Sequence, residues 1–247
     1  MIEPSIHQLM VSYASLDRND TVLDIGAGLG FLSRFMADKC KTVLAIEADA
    51  QVAKILFEQL ADTPNVKVVE GDVFKVDIPS FNKIVSTPPY NISSRLLLWI
   101  LDQGFDCSVL VFQKEFASRL VASVGNHDYG WLAVLTYYYA EVELLTTVPP
   151  SMFYPQPKVD SIITRLIPKK PRALKLEDEA TFRRLVRSLF TQRNKKIRNA
   201  VLPYLRTMRG MSKDGAVRTA EKLPCCDKRV RELAPEDFGA LANALIQ

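Results

Sequence analysis

The sequence predicts an α/β protein in which a doubly wound, mostly parallel seven-stranded sheet precedes a small C-terminal helical domain. From Thr21 to about Phe112, short β-rich apolar runs alternate with longer runs at helical spacing, which is typical of parallel strands joined by crossover helices. Beyond Pro168, the apolar residues recur at helical spacing. We therefore expect two domains, residues 1–168 carrying the sheet and residues 169–247 forming the helical part.

Local patterns predict each element of the first domain. Short apolar runs bounded by turn residues predict five parallel strands: Thr21 to Ile25, Thr42 to Ile46, Val66 to Val69, Lys83 to Ser86 and Ser108 to Phe112. Segments that begin with or follow a cap or turn residue predict the helices between them: Leu32 to Asp38, Ala50 to Ala61 and Ser93 to Leu101. Two more helical segments follow at Lys114 to Val124 and Tyr129 to Ala140.

Two strand-like runs lie outside the alternating part. Val142 to Val148 and Ser161 to Ile167 flank a proline-rich segment, so we expect an added hairpin at the edge of the sheet. The stretch from Pro168 to Pro171 predicts a stiff polar connector. A helix is expected next, because the following apolar residues share one face: Phe182, Leu185, Val186, Leu189 and Phe190.

The composition is that of a globular chain, since 48% of the 247 residues are hydrophobic and 24% are charged. No apolar run approaches the roughly 18 residues that a membrane span needs. The N-terminus, with Glu3 and Pro4, lacks the pattern of a signal peptide, so we expect a cytoplasmic protein without a membrane partner. The cysteines have neither CxxC spacing nor nearby histidines, and neither a disulfide framework nor a metal site is predicted.

Positive charge is concentrated in the last third of the chain. The net charge is only +4, yet Lys158 to Arg231 contains 21 Lys or Arg residues and 7 Asp or Glu residues. Within it, Ala180 to Lys213 holds ten basic residues and no carboxylate. A solvated helix face normally interleaves Glu with Lys, whereas here the repulsion is unrelieved. We therefore expect a nucleic-acid surface whose affinity comes from phosphate contacts and falls with salt.

A glycine loop follows the first predicted strand. Gly26, Gly28 and Gly30 alternate between this strand and a helix, which permits a tight turn and close approach of a ligand to the backbone. The spacing is GxGxG, which disfavours a dinucleotide. Glu47 and Asp72 follow the next two strands, and successive strand ends of a parallel sheet face one crevice. These residues predict a site for a nucleotide-like ligand.

The same residues resemble the S-adenosylmethionine site of class I methyltransferases. The resemblance implies that Gly26 and Gly28 lie beside the methionine part of this cofactor. It also implies that Glu47 binds the ribose hydroxyls, and that Asp72 with Val73 contacts adenine.

A second motif follows the fourth strand. The run Thr87-Pro88-Pro89-Tyr90 resembles the (Asn/Asp/Ser)-Pro-Pro-(Tyr/Phe) motif of enzymes that methylate planar amino groups. Such an amine is a poor nucleophile, so hydrogen-bond acceptors must hold it in line with the methyl group. By this resemblance Thr87 and the Pro88 carbonyl are the acceptors, with Thr87 also bordering the cofactor, and Tyr90 stacks on a base removed from its RNA stack.

Long stretches resemble the ribosomal RNA adenine dimethyltransferase family, which modifies two neighbouring adenosines of small-subunit RNA. They cover nearly the whole chain: Phe112 to Leu120, Tyr129 to Glu143, Val148 to Ser161, Leu189 to Asn199 and Arg231 to Phe238. The resemblance implies that Phe153 packs on the adenine opposite Tyr90, although a core-packing role for Phe153 stays open. It also implies a monomer that acts on a pre-ribosomal particle and binds its RNA through a basic cluster: Arg193, Lys195, Lys196 and Arg198.

The chain departs from the family pattern in two places. Thr87 stands where the family has Asn, and its shorter hydroxyl accepts a hydrogen bond without the geometry of an amide. The family also has a Gly-Gln-(Asn/His)-Phe-Leu segment before the counterpart of Met1 to Pro4, and a native protein beginning at Met1 is expected to bind the cofactor more weakly.

Three functions are compatible with these patterns. The leading one is an enzyme that forms dimethyladenosine in small-subunit RNA by direct methyl transfer. The second is a catalytically weak or inactive RNA-binding assembly factor of the same fold, in which Thr87 has impaired the chemistry. The third, methylation of a protein glutamine, leaves the basic run unexplained.

Overall fold

The computed structural model describes residues 3–170, 172 and 175–246. Inter-residue contacts divide the chain into two units. The sheet unit comprises Met1–Ala117 and Ala140–Pro168, and the helical unit comprises Ser118–Tyr139 and Lys169–Gln247. Met1 and Ile2, which adjoin the place of the family's N-terminal segment, and Pro171 of the expected connector lie outside the described residues.

A mixed sheet of seven strands forms the centre of the sheet unit. The strands are β1 (Thr21–Ile25), β2 (Thr42–Glu47), β3 (Val66–Glu70), β4 (Lys83–Ser86), β5 (Cys107–Gln113), β6 (Ala140–Val148) and β7 (Ser161–Pro168). Their order is β3-β2-β1-β4-β5-β7-β6. The first five strands are parallel, whereas β7 is antiparallel to both β5 and β6. The predicted fold class and the added hairpin at the sheet edge are confirmed.

Helices cover the sheet in the same unit. They are α1 (Pro4–Ala14), α2 (Phe31–Ala37), α3 (Ala50–Gln59), α4 (Ser93–Asp102) and α5 (Lys114–Leu120), whose last three residues belong to the helical unit. The predicted α5 extended to Val124, but the helix ends at Leu120.

No helix was predicted at the position of α1. Its signal was present, because Ile6, Met10 and Ala14 repeat every four residues and are buried, and Glu3 accepts a hydrogen bond from the Ser5 amide at the N-terminus of the helix. Met10 packs with Met36 of α2 and with sheet residues in an apolar core cluster. The N-terminal helix therefore covers the sheet.

The helical unit contains α6 (Trp131–Tyr139), α7 (Glu179–Phe190), α8 (Ile197–Ala200), α9 (Leu202–Thr207), α10 (Lys213–Lys222) and α11 (Pro235–Ala244). The predicted helix around Phe182 is α7, and its buried face packs against α11 and α6. No helix among the described residues is long and apolar enough to span a membrane.

The expected boundary at residue 168 assigned residues 118–139 to the sheet domain, and the contacts group them with the helical unit instead. The side chains explain the difference. The Tyr129 hydroxyl donates to the Leu233 carbonyl at 2.8 Å, and the Tyr138 ring lies 4.5 Å from that of Phe182. These pairings join residues far apart in sequence, and no local pattern reveals them.

Candidate active site

A cavity of about 330 Å³ lies at the carboxyl ends of β1, β2 and β3, and we call it the donor pocket. Most of the residues expected to bind the cofactor line it: Gly26, Glu47, Asp72 and Val73. Crevices at the carboxyl ends of parallel strands are the usual ligand sites of such sheets. The structure therefore brings these four residues together as the strand order predicts.

Gly26 joins the two motifs. Its backbone has φ +71°, and its amide donates to the Ile46 carbonyl at 2.8 Å. A Cβ atom at this position would lie 2.9 Å from Cδ of Pro89, closer than real Cβ contacts allow. Only glycine combines this conformation with so close an approach of the Pro88-Pro89 segment.

Backbone amides hold the Glu47 carboxylate in place. The Gly28 amide donates to Oε2 at 2.9 Å, and the Asp49 amide donates to Oε1 at 3.0 Å. Each carboxylate oxygen keeps a further acceptor site, so the group is oriented without being saturated. Gly28, with φ +58°, is not among the residues lining the donor pocket; its structural contact with the site is this bond to Glu47.

Asp72 and Val73 form the far wall of the donor pocket. Asp72 Oδ1 accepts from the Phe74 amide at 3.0 Å, and Lys75 Nζ lies 3.9 Å from Oδ2. Val73 is buried. A carboxylate oxygen thus stands beside an apolar surface, which suits a planar base with an N–H edge.

Asp24 is a buried acid that the sequence analysis did not select. It lies in β1, is 1% exposed, and its Oδ2 accepts from the Ser33 hydroxyl at 2.6 Å. Burial is the main cause that raises the pKa of the Asp24 carboxyl to about 7; the Ser33 bond opposes this rise, and the negative charge of Glu47 contributes to it. A single acid inside an apolar strand was the signal in the sequence.

Arg95 is a second lining residue that was missed. Its guanidinium carbon lies 3.7 Å from the centre of the Phe74 ring, and both side chains line the donor pocket. Phe74 also meets the Trp99 ring edge-on at 6.4 Å. Helical spacing placed Arg95 on α4, but only the tertiary structure turns it toward Phe74.

A second cavity of about 520 Å³ adjoins the donor pocket, and we call it the target pocket. The two cavities share three lining residues: Gly26, Glu47 and Pro89. The target pocket also contains the four residues expected to act on the acceptor: Thr87, Pro88, Tyr90 and Phe153.

The Tyr90 ring is fixed through its hydroxyl group. This hydroxyl lies 2.6 Å from Oγ of Ser161, the first residue of β7. Burial raises the pKa of Tyr90, so the phenol is neutral at physiological pH. Ser161 was part of a motif in the sequence, but its role as the support of Tyr90 comes from the pairing of β7 with β5.

Phe153 lies at the boundary between the apolar core and the target pocket. It is 9% exposed and packs in the core cluster with Val111, Val148 and Ile163, yet it also lines the target pocket. Tyr154, which follows it, is 82% exposed and lines the same pocket. Both interpretations of Phe153, core residue and pocket wall, therefore describe its position.

The four basic residues expected to bind RNA lie in the helical unit and differ in their contacts. Both terminal nitrogens of Arg193 donate to the His127 carbonyl at 3.2 Å. Lys196 and Arg198 each pair with Asp227, at 3.1 Å and 3.0 Å. The side chain of Lys195 is exposed and has no ion-pair partner within the described part of the chain.

The seven-stranded sheet, the glycine loop with Glu47, and the Pro-Pro-Tyr segment beside them define a class I S-adenosylmethionine-dependent methyltransferase. Similarity to known proteins then identifies the family within this class. Residues 1–224 match the family model described as ribosomal RNA adenine dimethylase, and the chain belongs to this family. It is an enzyme that dimethylates adenine in rRNA with S-adenosylmethionine as the methyl donor. The family resemblance seen in the sequence is confirmed.

Two curated relatives and two solved structures similar to this chain are also rRNA or dimethyladenosine methyltransferases by their descriptions. Both relatives are described as probable ribosomal RNA small subunit methyltransferase A. The protein from Methanosarcina acetivorans is 38% identical, and the match covers 96% of this chain and 87% of the relative. The protein from Methanopyrus kandleri is 36% identical, and the match covers 99% of this chain and 89% of the relative. A dimethyladenosine transferase from Plasmodium falciparum is 29% identical, with a TM-score of 0.81 over 98% of this chain and 95% of that structure. The 23S rRNA methyltransferase ErmE is also 29% identical, with a TM-score of 0.67 over 99% and 98%.

Proposed function

We propose that this enzyme methylates the exocyclic amines of two adjacent adenosines in small-subunit ribosomal RNA, within a pre-ribosomal particle, and that it acts as a cytoplasmic monomer. The observation that carries the proposal is the pair of adjoining cavities that share Gly26, Glu47 and Pro89. A methyl donor and an acceptor base need such a shared boundary, because the reacting atoms must approach to about 3 to 3.5 Å.

The small subunit is favoured over the large one by the sequence relatives. Eight curated relatives are described as probable small-subunit methyltransferases, and the matches to this chain cover 82 to 90% of their length.

In this proposal the donor pocket holds S-adenosylmethionine, which supplies a methyl group activated by the positively charged sulfonium sulfur to which it is bonded. In our proposal Glu47 accepts hydrogen bonds from both ribose hydroxyls, because its two oxygens are already oriented by the amides of Gly28 and Asp49. Asp72 accepts from the adenine amine beside the apolar wall of Val73. The glycine loop lets the methionine part approach the backbone at Gly26.

The target pocket holds the acceptor adenosine. We assign the Thr87 hydroxyl and the Pro88 carbonyl as acceptors for the exocyclic amine, which aligns the nitrogen and favours the geometry in which its lone pair can attack. Tyr90, fixed by Ser161, stacks on one face of the base, and Phe153 packs on the other. This stacking offsets part of the few kcal/mol that extrusion of the base costs.

The basic cluster contacts phosphates of the RNA in this proposal. Lys195 and Arg193 contribute their charge most directly, because neither pairs with a carboxylate within the described residues. Lys196 and Arg198 share Asp227, so RNA must compete with this internal carboxylate. No observation favours either the inactive assembly factor or glutamine methylation.

Mass spectrometry of the small-subunit RNA tests the proposal. Purified enzyme with S-adenosylmethionine is expected to convert two adjacent adenosines to dimethyladenosine in immature small subunits from cells that lack the enzyme. Large subunits from the same cells are the control. Methylation of the large subunit alone, or donor binding without any methylated adenosine at long times, would contradict the proposal.

A further inference from the structure

A third cavity, of about 870 Å³, lies entirely within the helical unit, and none of its lining residues belongs to the donor or target pocket. Three chain segments surround it: the loop between α5 and α6, the segment after α7, and a short 3-10 helix at Val230–Glu232. The lining residues are Val124, Gly125, Asn126, His127, Arg193, Asn194, Arg231 and Glu232. Its volume is within the range of ligand sites.

Hydrogen bonds between the segments hold the walls together. Arg193 donates two bonds to the His127 carbonyl, and the Arg231 amide donates to the Arg193 carbonyl at 3.1 Å. The Arg229 amide donates to Oε2 of Glu232 at 2.9 Å. The Tyr129 hydroxyl ties the loop to the Leu233 carbonyl. The cavity is therefore formed before any ligand enters.

Its chemistry is that of an anion site with an added acceptor. Arg193 and Arg231 bond only to neutral oxygens among the described residues, the second to Oδ1 of Asn194 at 3.3 Å, so both charges remain available. Guanidinium groups bind phosphate in two-point geometry. A free phosphate alone would be repelled by the Glu232 carboxylate, which indicates a ligand with an anionic group and N–H donors.

An unpaired nucleotide has both features and a flat base as well. The His127 side chain is 98% exposed at the cavity, and an exposed imidazole is a stacking surface for bases in RNA recognition. Glu232 accepts from the Arg229 amide at Oε2, and Arg229 Nε lies 3.9 Å from Oε1, so each oxygen keeps a further acceptor site for a base. Guanine presents N1–H and N2–H side by side, which matches a carboxylate better than the single N–H of uracil.

We infer that this cavity captures one unpaired guanosine of the ribosomal RNA substrate, with its phosphate on Arg193 and Arg231, its base on His127 and its N–H edge on Glu232. The inference rests on the proposed function for the identity of the RNA. It adds a base-selective site to a surface that otherwise recognises phosphates.

Fluorescence anisotropy with the full chain tests it. The probes are a short labelled oligouridine and the same oligomer with one central guanosine, adenosine or cytidine. The guanosine oligomer is expected to bind roughly tenfold more tightly than oligouridine, as one good base contact provides. Glu232→Gln is expected to abolish this preference and to raise oligouridine affinity slightly, because the neutral amide does not repel phosphate.

Two further variants separate the base from the phosphate. Arg231→Gln is expected to weaken all oligomers and to lower the slope of log affinity against log salt by about 0.7. Val124→Trp, which fills the cavity from an exposed position without removing a hydrogen bond, is expected to abolish the guanosine preference. Arg218→Gln on α10, with the same charge change outside the cavity, is the control and is expected to keep the guanosine preference.

Equal affinity for all four oligomers, or a guanosine preference that survives both Glu232→Gln and Val124→Trp, would overturn the inference. Competition by free guanosine monophosphate as effective as by the guanosine oligomer would assign the cavity to a free nucleotide and would also overturn it. Methyl transfer measured in parallel distinguishes this failure from failure of the proposed function, since only the latter leaves ribosomal RNA unmethylated.

Discussion

At the scale of single residues, two backbone amides orient the Glu47 carboxylate beside a short glycine loop without a lysine. In the proposed complex this carboxylate accepts the ribose hydroxyls of S-adenosylmethionine, which carries no phosphate. Glu47→Gln is expected to raise the Kd of S-adenosylhomocysteine, measured by calorimetry, roughly tenfold to hundredfold, because charge-assisted hydrogen bonds are worth about 1.5 to 3 kcal/mol.

Glu58→Gln is the matched control for this prediction. Glu58 lies in an exposed position on α3, outside both pockets, and its substitution should leave the Kd unchanged. A Glu47→Gln variant with unchanged affinity and an unchanged melting temperature would remove Glu47 from the donor site.

Thr87 is the residue at which the Thr87-Pro88-Pro89-Tyr90 motif departs from the expected pattern. If the shorter hydroxyl limits the rate, Thr87→Asn is expected to raise kcat in single-turnover methyl transfer by up to about a hundredfold, equivalent to roughly 3 kcal/mol. Thr87→Val, which removes the acceptor at nearly constant volume, is expected to lower kcat. An unchanged rate in Thr87→Asn would mean that the hydroxyl already provides the needed geometry.

Asp24 makes stability depend on pH. The folded protein keeps the Asp24 proton up to about pH 7, whereas the unfolded chain releases it near the ordinary value of 3.8, so stability falls as pH rises between these values. Asp24→Asn removes this loss. We expect the stability of this variant relative to wild type to increase by about 4 kcal/mol between about pH 4 and pH 8.

Urea unfolding at several pH values measures this effect. Asp77→Asn, a substitution of an exposed carboxylate in the same unit, is the control and should not change the pH dependence. A constant difference between Asp24→Asn and wild type at all pH values would show that the Asp24 carboxyl ionises normally in the folded protein.

At the scale of elements, the turn after β1 and the turn after β4 form one structure. Gly26 allows Pro89 to lie against its backbone, so the donor and target pockets share a wall. Gly26→Ala is expected to impair both donor affinity and methyl transfer, because the Cβ atom would displace the Pro88-Pro89 segment and because φ is positive. The backbone strain alone costs about 1 to 2 kcal/mol.

Gly28→Ala separates the effect of backbone strain from the effect of a Cβ contact with Pro89. Gly28 also has positive φ, but a Cβ atom there would meet nothing within 4 Å. We expect smaller losses of both activity and melting temperature than in Gly26→Ala, because the strain is not accompanied by a clash. Equal activity losses in the two variants would contradict the role of the Gly26 to Pro89 contact.

At the scale of the whole molecule, charge is distributed unevenly along the chain. The region between Lys158 and Arg231 is basic, and the rest of the chain is acidic. RNA affinity is therefore expected to fall steeply with salt. Lys195→Gln should lower the magnitude of the salt slope by about 0.7 to 0.9, the contribution of one phosphate contact, in titrations with small-subunit RNA. Lys39→Gln, in an exposed position of the sheet unit, should have a much smaller effect. Equal slopes for both variants would exclude Lys195 from the interface.

The strands, their parallel order and the positions of both motifs could be predicted because they depend on local chemistry. A run of β-branched residues, an alternating glycine turn and a Pro-Pro step each specify backbone conformation within a few residues. A parallel sheet then brings the ends of its strands to one edge, so Gly26, Glu47, Asp72 and Thr87 were expected near one another, and they line two adjoining pockets.

The sequence by itself thus determined the fold class, the family and most of the two pockets. Only the tertiary structure decided which unit contains residues 118–139, how Ser161 holds Tyr90, where Asp24 is buried, and that a loop and two distant segments enclose a third cavity. The physical reason is that these features arise from hydrogen bonds and packing between residues far apart in the chain, which leave no periodic pattern in the sequence.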